Sequence, residues 1–424
     1  MYTSALIISA TLIIGTIWMF VWTIHVGAVF FRAIPPRIDD ASCPRVAVLM
    51  GLKGTDPFLL AGLERLLTQD YPNYTVHFVV DSQTDPAWSL VEEAIKNTGA
   101  THATVREFND VPENGIVNCT NSKVVQALRE LPDDACEIIA MADGDVVANK
   151  FWLKDLVTPL VSDKSIGVTT GNRWFVPHRF QPGSIVRSLW NMAATNIMYH
   201  MNMPWGGCYA IRMSAVREGN LIKKWAAIGA LDMFTTREMK VLGLKIEFVP
   251  TLMMVNREGC SLAFSFNFIR RQLTWAQLYN PAWPLVVVQS IIGAVLVIFA
   301  TALIIVGAAQ RDFALLGVAT AGLVVYSLGS AATASVHDYC VRHLQKKTGY
   351  PVAPWTIGTM LFLPLAVPLT TAVQFLAVMH CLFFKRIAWR GSMLEFNGPH
   401  DIRVISNTPV CTSVAPSAVG TKSL

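Results

Sequence analysis

Charge is scarce in this sequence. Only 15% of its 424 residues are Asp, Glu, Lys or Arg, where soluble domains carry about a quarter. That shortage excludes an ordinary soluble protein. Before Arg32 there is neither lysine nor arginine. No long basic run and no basic-aromatic stripe occurs, and the net charge is a modest +5. A nucleic-acid partner is therefore excluded, whereas an anionic membrane surface or a phosphorylated ligand fits. Cysteines at 43, 119, 136, 208, 260, 340, 381 and 411 form no CxxC, and none has a nearby histidine at zinc spacing. They read as buried free thiols of a reducing compartment. Internal repeats are absent. No small-residue cleavage site follows the first apolar run, which is also too long for a signal peptide.

Apolar residues are abundant, at 53%, and they collect at 4–31 and from about 284 to 384. The pattern is that of a multi-pass membrane protein with a soluble insert. Arg32, Arg37 and Arg45 follow the first run, so the positive-inside rule places the insert in the cytosol. The expected division is an anchor at 1–34, a cytosolic domain with interfacial helices at 40–280, a membrane region at 284–384, and a tail at 385–424, basic then disordered. Two spans are expected near 284–309 and 313–335, with a polar loop at 336–350. If 353–384 also crosses, the basic residues after it end outside, so a bent or re-entrant path at Pro364 and Pro368 is expected. Two sequons, at Asn73 and Asn118, test the orientation.

Within the insert, apolar strands alternate with helices. Val46–Met50 and Thr75–Val80 read as strands, and Asp56-Pro57 and Asp85-Pro86 read as helix starts, each with an aspartate cap and proline in the first turn. Ile138–Ala142 is a buried strand running into Asp143-Gly144-Asp145. This is the pattern of a doubly wound, mostly parallel α/β domain, in which ligands bind beyond the carboxyl ends of the strands. Asp81 also ends a strand, so one crevice shared with Asp143 and Asp145 is expected. Two hard oxygen donors flanking Gly144 suit Mg²⁺ or Mn²⁺ with a diphosphate. Gly144 would allow a sharp turn and a close approach.

Two further stretches stand apart. Residues 180–205 carry a Met-rich apolar stripe, which fits either a core helix or a helix at the membrane interface. Residues 264–283 mix aromatics with Arg270 and Arg271, the composition of an interfacial helix.

Several motifs in order carry a resemblance across roughly residues 5–400. They are Leu52-Lys53-Gly54-Thr55-Asp56-Pro57, Gln69-Asp70-Tyr71-Pro72, Val80-Asp81 through Asp85-Pro86-Ala87, Asn121-Ser122-Lys123, Asp143-Gly144-Asp145, Asp232, Arg271-Gln272-Leu273-Thr274-Trp275 and Trp389-Arg390-Gly391. The sequence resembles family 2 glycosyltransferases of the GT-A fold, and among them membrane ceramide glucosyltransferases. The resemblance implies inverting transfer of a sugar, glucose in that family, from a UDP-sugar to a lipid hydroxyl. It implies Asp143 and Asp145 as metal ligands and Asp232 as the base. Asp81 or Asp85 would stand at the nucleotide, with Lys123, Arg271 and Trp275 as further donor-site residues. Each position has a plainer reading: a turn cap for Asp81, a solvated helix residue for Lys123, a helix cap for Asp232 and an interfacial anchor for Trp275. Leu231 replaces the acidic neighbour of the catalytic aspartate, and Thr274 replaces the arginine of the (Q/R)xxRW motif. Rival functions are transfer to another lipid such as a polyprenyl phosphate or diacylglycerol, a polysaccharide synthase, and a catalytically dead membrane binder.

Overall fold

The computed structural model describes residues 1–109, 120–177, 179–350 and 352–407. The Asn118 sequon and the end of the expected tail lie outside the described residues. In chain order the elements are α1 (Tyr2–Val29), β1 (Val46–Leu52), α2 (Leu59–Leu67), β2 (Tyr74–Val80), α3 (Pro86–Thr98), β3 (Ala103–Glu107), α4 (Thr120–Glu130), β4 (Ile138–Ala142), α5 (Trp152–Ser162) and β5 (Ile166–Phe175). Then come α6 (Pro182–His200), β6 (Cys208–Arg212), α7 (Met213–Glu218), α8 (Leu221–Trp225), α9 (Leu231–Val241), β7 (Lys245–Asn256) and α10 (Leu262–Tyr279). The chain continues through α11 (Trp283–Gln310), α12 (Phe313–Lys347), α13 (Ile357–Phe383), β8 (Arg386–Trp389), β9 (Ser392–Gly398) and β10 (Asp401–Asn407). They form two compact units. One comprises Met1–Pro35, Arg173–Met203 and Val255–Phe384; the other comprises Pro36–Asn172, Pro204–Met254 and Lys385–Leu424.

The second unit is built on a seven-stranded sheet of order β3-β2-β1-β4-β6-β5-β7. β1 pairs in parallel with β2 on one side and β4 on the other, while β4 and β6 are antiparallel. Every residue of β1 and β4 is buried. Helices cover both faces, which is why these strands read as unbroken apolar runs rather than alternating ones. The chain winds outward from β1 through β2 to β3, then returns to place β4 on β1's other flank. The gap between the ends of β1 and β4 is thus the topological switch point, where open α/β sheets bind ligands.

Two local expectations in this unit are revised. Helix α2 starts at Leu59, capped by Phe58 without a side-chain bond, not at Asp56. The Asp56 carboxylate is engaged elsewhere, as shown below. Residues 386–407, read as basic tail, form a three-stranded antiparallel sheet of order β10-β9-β8 around buried Ile387, Leu394, Phe396 and Ile402. Arg390 and Gly391 connect β8 to β9 with φ of 44° and 77°, the signs a type I′ hairpin demands.

The first unit holds four helices long and apolar enough to cross a membrane: α1, α11, α12 and α13. Small residues interlock α1 with α12. Ser9 donates to the Val318 carbonyl at 3.0 Å. A Cβ on Gly322 would fall 2.2 Å from Ser9 Oγ, and one on Gly329 would fall 2.5 Å from Thr16 Cγ2. Ser9 and Thr16 advance together with Gly322 and Gly329, so the two helices run parallel, packed as small-residue seams pack in bilayers. The expected polar loop after residue 335 is instead helical as far as Lys347. Asp338 there is satisfied by Trp174 Nε1 at 3.2 Å and by an ion pair with Arg342. Arg173–Met203 is grouped with this unit. Helix α6 buries a polar face here: Ser188 donates to Phe175 O at 2.8 Å, Asn191 to Arg173 O at 2.7 Å and Asn196 to Thr23 at 2.8 Å.

Helix α13 passes unbroken through Pro364 and Pro368, so the chain does not reverse at them. Neighbouring side chains, such as Tyr326 on Thr371 at 2.7 Å and Ser290 on Gln374 at 2.8 Å, support the polar residues beyond the prolines. Pro36–Asn172 and the strands after Lys385 belong to the same compact unit, and one compact unit is expected on one side of a bilayer. A sequon engineered directly after Asn407 should therefore share the glycosylation state of exposed Asn73 in a glycosylating host. Opposite states, read by N-glycosidase mobility shift, would refute this parity.

Candidate active site

The strand ends at the switch point carry the charged residues. At the end of β2, Asp81 takes an ion pair from Lys123 Nζ at 2.8 Å and another from Lys53 Nζ at 3.3 Å. Both lysine side chains have no exposed surface, and that of Asp81 is 12% exposed. Lys123 is thus not a solvated helix residue. Gly51 makes the approach possible, because a Cβ there would meet Thr120 O at 2.8 Å and Lys123 Cβ at 2.9 Å. Burial pushes the Asp81 carboxyl up, but Lys123 and then Lys53 outweigh it and hold it below the usual carboxylate range.

Asp85 is four residues on and has different work. Its two oxygens each accept from Gly54 N at 2.9 Å, and one accepts from Ala87 N at 2.8 Å as the cap of α3. This clip fixes the loop after β1, where Gly54 has a φ of 64° that suits glycine.

Asp143, Gly144 and Asp145 are half-buried at the end of β4. Gly144 is not in the left-handed region; its need is space, since a Cβ would lie 3.2 Å from Asp56 Oδ2. Asp143 also faces the segment before β6. A Cβ on Gly207 would lie 2.7 Å from Asp143 Oδ2 and 2.2 Å from the Trp205 ring. The adjacent Gly206 N donates to Asp232 Oδ2 at 2.9 Å. Consecutive glycines therefore bring Asp232 beside the Asp143 loop. Asp232 sits inside the first turn of α9, whose cap is Ala230, and its other oxygen accepts from Met233 N at 2.8 Å. It is not the helix cap. Burial raises its carboxyl above the ordinary range against these backbone bonds, which favours accepting a proton. Its neighbour Leu231 is 4% exposed, so the apolar replacement fills core where an acid would need a partner.

The hairpin tip closes the set. Arg390 Nη2 bonds both oxygens of Asp56, at 2.7 and 2.5 Å, and Nη1 donates to Lys53 O at 2.5 Å. Lys53 Nζ in turn reaches Ser392 Oγ at 2.8 Å. Lys53, Asp56 and Arg390 all stand in the motifs quoted from the sequence, but their mutual contact spans more than 330 residues and had no local signal.

Arg271 and Trp275 belong to the other unit, on α10. The Arg271 guanidinium is 5.7 Å from the Phe268 ring centroid, and Trp275 stacks on Tyr279 at 6.5 Å. In the same helix Thr274 is buried, bonding back to Arg270 O at 3.0 Å and lying 3.3 Å from Cys381 Sγ. Arg270 is turned to His380 Nε2 at 3.1 Å.

Among the described residues, no three His, Cys, Asp or Glu side chains gather to hold a metal unaided. Two oxygen donors on one tight loop fit a hard cation that completes its shell with phosphate and water.

Residues 6–400 match the model of glycosyl transferase family 21. The chain belongs to glycosyltransferase family 21. It is a sugar-transferring enzyme of the GT-A type, and its mostly parallel sheet and long apolar helices are those the sequence led one to expect. The family 21 chain is similar to the ceramide glucosyltransferase of Pyricularia oryzae, at 25% identity over 157 residues. That alignment covers 35% of this chain and 30% of the relative, well under half of the latter's length. Among solved structures it is similar to the mannosyltransferase PcManGT from Pyrobaculum calidifontis in complex with GDP-Man and Mn²⁺, with TM-score 0.47, 14% identity, and coverage of 89% of this chain and 99% of that one. It is also similar to the glucosyl-3-phosphoglycerate synthase of Mycobacterium tuberculosis in complex with Mn²⁺, UDP and product, with TM-score 0.39, 13% identity, and coverage of 59% and 88%.

The ion trio gives a stability prediction. Asp81→Asn leaves two buried ammonium groups without their carboxylate and should cost roughly 3 kcal/mol or more at neutral pH. Because the folded pKa of Asp81 is depressed, its contribution is complete above the ordinary carboxylate range and is lost as pH falls through the depressed value. Denaturation curves of wild type and variant should converge only in strong acid. A variant as stable as wild type at pH 7 would contradict the ion trio.

Proposed function

We propose that this family 21 enzyme transfers glucose from UDP-glucose to the hydroxyl of a membrane lipid, of the ceramide class, with inversion at the anomeric carbon. The observation that carries the reading is the convergence of Asp143, Asp145 and Asp232 through Gly206-Gly207 beside the ends of β1 and β4. The likeness to a ceramide glucosyltransferase supports the acceptor class, and the four apolar helices support an acceptor taken from a bilayer. The charge step after α1 supports a cytosolic catalytic unit, in which Asn73 stays unmodified.

In this reading Asp143 and Asp145 would hold Mn²⁺ or Mg²⁺. Such an ion supplies Lewis-acid neutralisation of the departing diphosphate. Asp81, pinned between Lys53 and Lys123, accepts hydrogen bonds from the nucleoside, and the surplus positive charge of the trio favours an anionic donor. Asp232 takes the proton of the acceptor hydroxyl as that oxygen attacks the anomeric carbon and the bond to the diphosphate oxygen breaks. No carboxylate nucleophile enters a direct displacement.

The deciding experiment is mass spectrometry of lipids made by the purified protein from a panel of UDP-sugars and membrane lipids. A hexosylceramide formed only from UDP-glucose is the expected product. A hexosylated polyprenyl phosphate or diacylglycerol, or a polymer, would replace the acceptor assignment.

Two substitutions test the chemistry. Asp232→Asn should lower kcat by roughly 10²–10⁴-fold with UDP affinity kept, because the amide retains the shape and cannot take the proton. Its thermal stability at neutral pH should be unchanged or higher: a raised carboxyl pKa means that ionised Asp232 costs folding energy as pH rises. Near-wild-type kcat would remove Asp232 from the mechanism. Asp145→Ala should weaken UDP binding in the presence of Mn²⁺ and not in its absence. Full turnover in excess chelator would eliminate the metal.

A further inference from the structure

We infer that Arg390, at the tip of the β8–β9 hairpin, is a donor-diphosphate ligand. The inference rests on the proposed use of a UDP-sugar and adds a residue to that site.

Two observations carry it.

First, the hairpin delivers an arginine to the switch point. Arg390 holds Asp56, and Asp56 Oδ2 is the atom a Cβ on Gly144 would approach at 3.2 Å. The Arg390 charge is felt by the loop: burial works to lower its pKa, but Asp56, then Asp145 and Asp143, raise it. A guanidinium has five N–H donors. Both bonds to Asp56 come from Nη2, and Lys53 O takes one from Nη1, so the fork is anchored on one edge while its side chain is still 28% exposed. Anchored on one side and open on the other, it suits a diphosphate, which arginine binds in a planar, forked manner.

Second, the backbone is strained at this placement. Arg390 occupies the first position of a type I′ turn with φ 44°, where asparagine or glycine is the favoured residue and other L-residues are disfavoured. A turn chosen for folding alone would not carry arginine there, and such strain collects at functional positions.

The same strain provides a clean test. Arg390→Asn creates the Asn-Gly pair that type I′ turns prefer, so the hairpin should fold at least as well without the guanidinium. The full-length protein in detergent is titrated with UDP and with UMP in Mn²⁺, by calorimetry. UDP affinity should fall roughly 10- to 100-fold, the worth of charged hydrogen bonds, while UMP affinity stays within about twofold. Arg390→Lys, which keeps a point charge, should recover part of the UDP affinity. Equal losses for UDP and UMP would show that Arg390 only steadies the loop after β1, and would overturn the inference. Unchanged UDP affinity in Arg390→Asn would also overturn it, leaving the transferase reading intact. Absence of UDP binding by wild type would bring down both.

Discussion

Two buried ammonium groups sharing one carboxylate set the terms for the catalytic unit. Lys53 and Lys123 have no exposed side-chain surface and meet at Asp81. Ions withdrawn from water are tolerated only when geometry is held tightly, and the surrounding residues supply that tightness. Gly51 lets α4 press its lysine against the sheet, Asp85 clips Gly54 so that Lys53 cannot swing out, and Ser392 takes another bond from Lys53. The product is a fixed surplus of one positive charge at the ends of β1 and β2, adjoining the carboxylates of β4.

Much of this was legible in the sequence because it depends on local pattern. Unbroken apolar runs at β1 and β4 announced buried parallel strands, and a carboxylate closing such a run announced a site at its end. Asp81, Asp143 and Asp145 were found in that way and Asp232 through the family resemblance, and the structure places them near the ends of β1, β2 and β4. The rest depended on partners far apart in the chain. Asp56 carries every local mark of a helix cap, yet Arg390 claims it and α2 begins three residues later. Lys123 reads as an ordinary polar helix position until Gly51 is known to lie under it. Residues 386–407 are short, mixed strands whose first turn carries Arg390 where asparagine or glycine would have marked a hairpin, so they read as tail. Asp81 and Asp85, alike in the sequence, are told apart by their partners: lysines for one, backbone amides for the other.

The membrane unit shows a similar division between composition and detail. Length and hydropathy sufficed to mark the candidate spans. They did not reveal the Ser9–Gly322 and Thr16–Gly329 interlock, which fixes α1 and α12 as parallel neighbours. Helix α6 was ambiguous because its polar residues lie inward: Ser188, Asn191 and Asn196 spend their hydrogen bonds within this unit. An amphipathic reading assumes that polar faces look to water, and membrane-associated helices need not obey it.

The bond from Arg390 to the Lys53 carbonyl joins residues 337 positions apart. Translation proceeds at about 5–20 residues per second, so the loop after β1 waits on the order of half a minute for its partner to be made. During that interval the three apolar helices α11, α12 and α13 are synthesised. The loop is therefore finished only after the last of these helices has left the ribosome. A truncated or stalled chain, however well its sheet has folded, lacks the hairpin that ties Asp56 and Lys53 in place. Completion of the loop after β1 is thus coupled to synthesis of the last apolar helix.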